Sequence, residues 1–433
     1  MYGYAQLPHE ASVKVSPFHV AVSRDELQDF HDLIRLSKLG PRTYENSSAN
    51  GRYGVTYEWM SEAKAYWESR FDWSAVEDRI NEHPNFKANI LDDDGSAYAI
   101  HFTGLFSQRK DAIPLMCIHG WPGSFLEFTG ILSRLKQNYS PQDLPYHIVI
   151  PSLPGYAFSD SPPLDKNWTL QDSGRLLHKL MVGLGFGDGY ALQGGDIGSY
   201  TARIMAATYD SCKVLHLNFC VMTCPAELEN SALEEYEREG LKRADRFGKL
   251  GTAYAVEHAT RTATIGFVLS SSPLALLAWY VELAHAAKAL IDTMARIGEK
   301  FLAWTDQSPS MDEILSSVTL YWLTQTFPRA IYPYRQEIID EPFGPIIDAK
   351  CRKALQEGPR KYMVHPDPKF YCHQPMGYSY FPCEIAPVPK SWAATTGNLV
   401  WFNRHDKGGH FAALEQPEAL LSDIEEFLKQ AWR

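Results

Sequence analysis

Basic runs, paired cysteines, long apolar segments and repeats are all missing from this 433-residue chain. Each absence removes a class of function. No cluster of Lys or Arg could neutralise a row of phosphates, and the net charge is −11, so no nucleic-acid partner is expected. The seven cysteines are odd in number, include no CxxC pair and sit in a chain too large to need disulfide staples. They read as reduced thiols inside a cell. The most apolar stretch, Ile265 to Leu290, is broken by Ser270, Ser271, Ser272 and Pro273 and carries Glu282, His285 and Lys288, all costly in hydrocarbon. It reads as buried or cap helices. Met1 to Lys14 contains His9 and Glu10 and lacks a basic stretch followed by an apolar one, so no secretory signal is expected and the location is read as cytoplasmic and soluble.

What is present is apolar and aromatic mass. Hydrophobic residues make up 45%, with 11 Trp, 23 Tyr and 21 Phe, enough to bury a large core. Ser23 to Ile80 reads as mostly helical, with Trp59, Trp67, Phe71 and Trp73 as apolar anchors on otherwise charged helices. From about Tyr98 short β-rich runs take over: Tyr98 to Phe106, Ile113 to Ile118, Tyr146 to Ile150, Tyr190 to Leu192, Val214 to Val221 and Leu399 to Phe402. Near-continuous apolar strands alternating with helices specify a mostly parallel sheet covered on both faces. Between roughly Glu227 and Arg335 helical spacing replaces strands, as in Ile314, Val318, Tyr321, Trp322 and Gln325. A helical block spliced into such a sheet is a cap over the carboxyl ends of its strands, where open sheets bind ligands. The expected organisation is an N-terminal helical region over 1–95 wrapping the core, a first core part over 96–226, a helical cap over 227–340 and a second core part over 341–433.

The most informative local sequence is Gly194-Gly195-Asp196-Ile197-Gly198, between the strand-like Gly189 to Gln193 and the helix-compatible Tyr200 to Tyr209. Small-x-nucleophile-x-small is the strand-to-helix elbow of the α/β-hydrolase fold, and small neighbours are needed because larger ones would strike adjacent backbone. The bland alternative is that Asp196 only caps the following helix. As a nucleophile, a carboxylate with a pKa near ~4 is already ionised, and it suits displacement at a saturated carbon to give an alkyl ester. The loop Ile118 to Ser124, reading His119-Gly120-Trp121-Pro122-Gly123, follows an apolar strand and supplies the second half of an oxyanion hole. The backbone donors are assigned to Trp121 and Ile197. His410, in Gly408-Gly409-His410-Phe411, stands last in chain order, where the base of this fold belongs. Glu384 precedes it as the acid partner. Asp406 competes for that role but lies on the same loop as His410.

Together, the Asp-bearing elbow, His119 to Gly123, Phe381 to Pro389 and Gly409-His410-Phe411 resemble the epoxide hydrolases, specifically the microsomal-type branch that includes soluble fungal enzymes. Phe71-Asp72-Trp73 with Glu77, Arg79 and Asn81 resembles that branch's N-terminal region, so the likeness covers most of the chain. The resemblance implies two cap tyrosines on the epoxide oxygen, which match Tyr254 and Tyr321. A phenol with a pKa near ~10 keeps its proton at neutral pH and can protonate a departing alkoxide. It further implies a small apolar epoxide and water as substrates, no metal or organic cofactor, and a homodimer formed through the cap. No counterpart of the membrane anchor of the microsomal members is expected here, which by comparison implies a soluble location. The stretch from about Tyr280 to Arg296 looks like an insertion relative to the fungal enzymes, with Leu283, Ala287, Leu290 and Met294 spaced as an amphipathic cap helix, or else a short retained intron.

Two other functions use the same parts. A haloalkane or haloacid dehalogenase would pair the same Asp, His and acid with indole N–H donors such as those of Trp121 and Trp322, and a catalytically silent receptor would keep only the pocket. Gly183 to Gly187 is read as a turn, since a dinucleotide loop must follow a strand rather than precede one. His365, Cys372 and His373 lie among Pro366, Pro368 and Pro375, an apparently irregular loop without zinc spacing.

Overall fold

The computed structural model describes residues 3–49, 51–281, 309–337 and 363–433. Among these, nine strands form one sheet in the order β1-β2-β3-β5-β4-β6-β7-β8-β9. β1 (Lys14–Phe18), β2 (Asn85–Leu91) and β3 (Ala97–Leu105) form an antiparallel edge, and β3 pairs antiparallel with β5 (Tyr146–Pro151). From β5 onward the pairing is parallel through β4 (Ile113–Ile118), β6 (Tyr190–Gly194), β7 (Cys212–Leu217), β8 (Cys372–Tyr380) and β9 (Gly397–Arg404). β5 is buried along its whole length, as a strand covered on both faces must be.

Two features differ from the sequence expectation. The segment 1–95 is not wholly helical, because β1 and β2 extend the sheet; exposed polar residues such as Lys14 and Asn89 interrupt their apolar pattern. The proline-rich stretch read as an irregular loop contains β8. Pro375 lies where the β8–β9 register shifts, so the ladder does not need the N–H that proline lacks. Gly183 to Gly187 continues the helix Leu170–Met181 as a widened turn and ends it through Gly185 at φ 92°.

The N-terminal helices form for visible reasons. Ser23 and Glu26 build a reciprocal cap on Arg24–Leu36, and Thr56 caps Tyr57–Ser69. Trp67, fully buried, meets Phe30 edge-on at 5.4 Å and donates its indole N–H to Thr319 Oγ1 over 3.1 Å. Thr319 belongs to the cap helix Met311–Leu323. Asn81 closes the wrap by exchanging two hydrogen bonds with the backbone of Val20, at 2.9 and 2.8 Å.

The cap contributes helices Glu235–Leu250, Ala253–Thr260, Thr262–Leu269, Pro273–Val281 and Met311–Leu323. As far as Val281 the apolar run beginning at Ile265 lies in two short helices, and among the described residues no helix is long and apolar enough to cross a membrane. The expected helix in Tyr280 to Arg296 lies, beyond Val281, outside the described residues.

Trp67 should be the strongest single tie between the N-terminal region and the cap. Trp67→Ala is expected to cost about 3–5 kcal/mol in urea unfolding, and Trp67→Phe, which loses the bond to Thr319, about 1 kcal/mol. An unchanged midpoint in Trp67→Ala would mean that this contact does not hold the cap.

Candidate active site

Four strand ends on the carboxyl side of the sheet carry the residues singled out above. β6 runs into the helix Asp196–Thr208 through a turn in which Asp196 has φ 44°, the left-handed region that L residues seldom occupy. The chain is packed too tightly there for side chains. A Cβ on Gly198 would lie 2.0 Å from the Ile118 carbonyl oxygen, and one on Gly194 2.5 Å from the Gly198 carbonyl oxygen. The turn lifts the Asp196 carboxylate beside the loop that follows β4, so close that a Cβ on Gly120 would meet Oδ1 at 2.2 Å.

That carboxylate is held on both oxygens. The backbone N–H of Trp121 donates to Oδ1 over 2.7 Å, and Oδ2 lies 3.0 Å from His410 Nε2. Ile197, the other expected donor, is the second residue of the helix, where N–H groups have no intrahelical acceptor. His119 fixes the loop between them: Nδ1 lies 3.0 Å from the Gly120 carbonyl oxygen, and Nε2 accepts from the Leu153 N–H at 3.2 Å. Burial lowers its pKa to about 4, so it is a neutral spacer.

His410 is wholly buried, on the loop after β9, with Phe219 edge-on at 5.2 Å. Its Nδ1 is 2.6 Å from Glu384 Oε1. Glu384 lies on the loop after β8, where its backbone carbonyl accepts from Arg243 Nε of the cap at 2.9 Å and the neighbouring Cys383 forms a parallel bridge with Gly409. Burial opposes a charge on His410, yet the Glu384 and Asp196 carboxylates outweigh it and raise its pKa well above the ordinary imidazole range. Asp406 is not part of this line. Its side chain is 87% exposed and pairs with Arg404.

The tyrosines approach from the cap. The Tyr254 ring stacks on Trp121 at 5.5 Å and 15°. Tyr321 is buried, and its hydroxyl donates to the Gly123 carbonyl over 2.8 Å, beside the expected oxyanion donor; burial, more than the neighbouring phenols and carboxylates, raises its pKa. His365 braces the elbow helix, with Nε2 3.2 Å from Ser199 Oγ and Nδ1 accepting from the Val221 N–H at 3.2 Å. Among the described residues no group of three His, Cys, Asp or Glu side chains is placed to hold a metal.

One further carboxyl was not legible in the sequence. Glu127, on the short 3-10 turn Phe125–Phe128, packs against Gly123 with Oε1 buried. It lines a pocket of about 470 Å³ between the N-terminal helix Trp73–Asn81, this turn and the helix Met311–Leu323. Burial first, and the nearby Asp196 charge second, push its pKa up to about 8. Nothing in Ser124-Phe125-Leu126-Glu127 distinguishes it from an acid placed for the first turn of a helix.

A raised carboxyl pKa means that folding takes up a proton, so stability from this group is present at low pH and declines as pH rises from the unfolded value near ~4.5 through about 8. Glu127→Gln should therefore gain on the wild type in denaturation midpoint across that interval. Parallel curves would show that Glu127 ionises normally.

The chain is similar to known proteins in both sequence and fold. Residues 15–128 match the family described as epoxide hydrolase N terminus, and residues 113–327 match the alpha/beta hydrolase fold. The structure of Aspergillus niger epoxide hydrolase superposes with a TM-score of 0.84 at 45% identity, covering 99% of each chain. A protein of Dothistroma septosporum is 42% identical over 437 residues, all of this chain and 94% of its own length. Epoxide hydrolase 1 of Oryctolagus cuniculus is 28% identical over 96% of this chain and 88% of its own. The chain belongs to the epoxide hydrolase family and carries its α/β-hydrolase fold.

Proposed function

We propose that the protein opens epoxides to vicinal diols in two steps through an ester on Asp196. The observation that carries this reading is the Asp196 carboxylate held between the Trp121 N–H and His410 Nε2. In the first step a carboxylate oxygen attacks one epoxide carbon and the C–O bond breaks. The electron pair stays on the epoxide oxygen, which takes a proton from a cap phenol. Tyr254 and Tyr321 fill that role, Tyr321 exchanging the Gly123 carbonyl for the substrate oxygen. The location of both rings around Trp121 and Gly123 supports this.

In the second step His410 removes a proton from water, which attacks the ester carbonyl. The Trp121 N–H already lies on Oδ1, so Oδ1 becomes the oxyanion, shared with the Ile197 N–H. Oδ2, on the His410 side, is then the ester oxygen bonded to the substrate carbon. When the oxyanion collapses the Cγ–Oδ2 bond breaks, and Oδ2 leaves as a hydroxyl of the diol with the proton from His410. The water oxygen stays on Asp196, whose carboxyl returns its proton through solvent to the phenolate. Esterification also removes the Asp196 charge, one of the two that hold the proton on His410. The imidazole thereby gives up its proton more readily and is free to accept one from water when a base is needed, and Glu384 stabilises the imidazolium it forms.

Diol formation from styrene oxide and aliphatic epoxides should disappear in Asp196→Ala, while His410→Gln should form the ester and stall, leaving a mass adduct on the peptide containing Asp196. Diol at the wild-type rate from Asp196→Ala would remove the covalent reading, and halide release from bromoalkanes faster than epoxide turnover would favour a dehalogenase. Tyr254→Phe should slow ring opening by ~10²–10⁴-fold, measured as single-turnover ester formation. With hydrolysis rate-limiting, kcat should rise with pH across an ionisation lower than that of His410 in the free enzyme, because the ester has lost one of the two charges that raise it. Equal values in the two states, from kcat and from titration of the free enzyme, would contradict the electrostatic account.

A further inference from the structure

His258 is a buried imidazole that the two steps above leave unused. It lies one turn after Tyr254 on the helix Ala253–Thr260, so the two side chains share a face. Its ring meets Tyr254 edge-on at 5.4 Å and 75°, Trp121 at 4.6 Å and 83°, and Tyr334 at 4.9 Å and 73°. Tyr254 also stacks on Trp121 and meets Tyr334 at 5.7 Å and 80°. Three rings thus grip Tyr254, and the residue supplying one of them also supplies the backbone N–H on Asp196.

A hydrogen bond sets the orientation of this imidazole. Trp279 Nε1 donates to His258 Nε2 over 3.0 Å. An indole N–H can only donate, so Nε2 presents its lone pair and the ring proton sits on Nδ1. Protonating Nε2 would set two donors against each other. Trp279 belongs to a different cap helix, Pro273–Val281, and the next residue, Tyr280, donates its hydroxyl to the Pro122 carbonyl. The contacts run from Pro122 through Tyr280, Trp279, His258 and Tyr254 back to Trp121, a closed circuit joining two cap helices to the loop that holds the nucleophile.

We infer that His258 is a positioning residue for ring opening: locked in one neutral form by Trp279, it fixes the angle at which the Tyr254 phenol faces the substrate above Asp196. The inference rests on the reading of Tyr254 as an acid. It follows that His258 matters to the first step and not to the second, where water, His410 and Glu384 do the chemistry.

Rapid-quench single turnover of styrene oxide, following ester and diol separately, tests it. His258→Phe keeps a ring but gives Trp279 no acceptor, and Trp279→Phe removes the donor while leaving His258 in place; the second serves if the first loses its fold. Each should slow ester formation ~10-fold, the scale expected for a misaimed catalytic group, with ester hydrolysis at the wild-type rate. In a Tyr254→Phe background, His258→Phe should add nothing further. Wild-type ester formation in a folded variant, or equal slowing of both steps, would overturn the inference. If Tyr254→Phe itself formed ester normally, the acid assignment would fall and this inference with it. A slow Tyr254→Phe beside a normal His258→Phe would remove this inference alone.

Discussion

A non-glycine residue held in the left-handed region costs of order 1–3 kcal/mol, and it persists only where its surroundings over-determine it. Asp196 is such a residue, and three close approaches enforce it: Gly194 to Gly198, Gly198 to Ile118, and Gly120 to the carboxylate itself. These approaches join β6, the elbow helix and the β4 loop into one rigid corner. The Trp121 N–H and the His410 ring reach the carboxylate because that corner presents it at one point. A side chain at any of the three glycines would move the carboxylate, and every hydrogen bond made to it, together.

Around this corner the site balances charges in a water-poor space. Asp196 and Glu384 flank His410, and their combined pull overcomes the cost of burying a cation. The same Asp196 charge works against Glu127, on the other side of the β4 loop, and with burial keeps that carboxyl in its neutral form to higher pH. One negative charge thus favours a proton on both neighbours. On the proposed mechanism an ester at Asp196 would loosen both, so the electrostatic state of the loop would follow the charge on that carboxylate.

How much of this could be seen in the sequence depended on how local each cause is. The elbow is specified within five residues, because the steric demand acts on immediate neighbours, and the β4 loop is nearly as compact. The choice between Glu384 and Asp406 rests on which carboxyl precedes the loop of His410; Glu384 lies 2.6 Å from His410, and Asp406 is exposed and paired with Arg404. Tyr254 and Tyr321 were not distinguishable among 23 tyrosines by spacing, and only the family likeness pointed to them. β8 was hidden by Pro375, whose tolerance depends on a register shift made with a distant strand. Glu127 and His258 were invisible because their settings are built by segments far away in sequence. A buried glutamate and a caged histidine look ordinary until those segments pack.

The spread of the site along the chain bears on how it comes into being. Asp196 and the Trp121 loop follow β6 and β4, which pair with each other in the middle of the sheet, whereas Glu384 and His410 follow β8 and β9 at the far edge. Parallel pairing across such separations is slow, since it must await synthesis and closure of the long intervening loops. A chain emerging from the ribosome therefore holds the residues of its carboxylate corner before those of Glu384 and His410. On the covalent mechanism proposed above, an epoxide that alkylated Asp196 at that stage would meet no imidazole to release it.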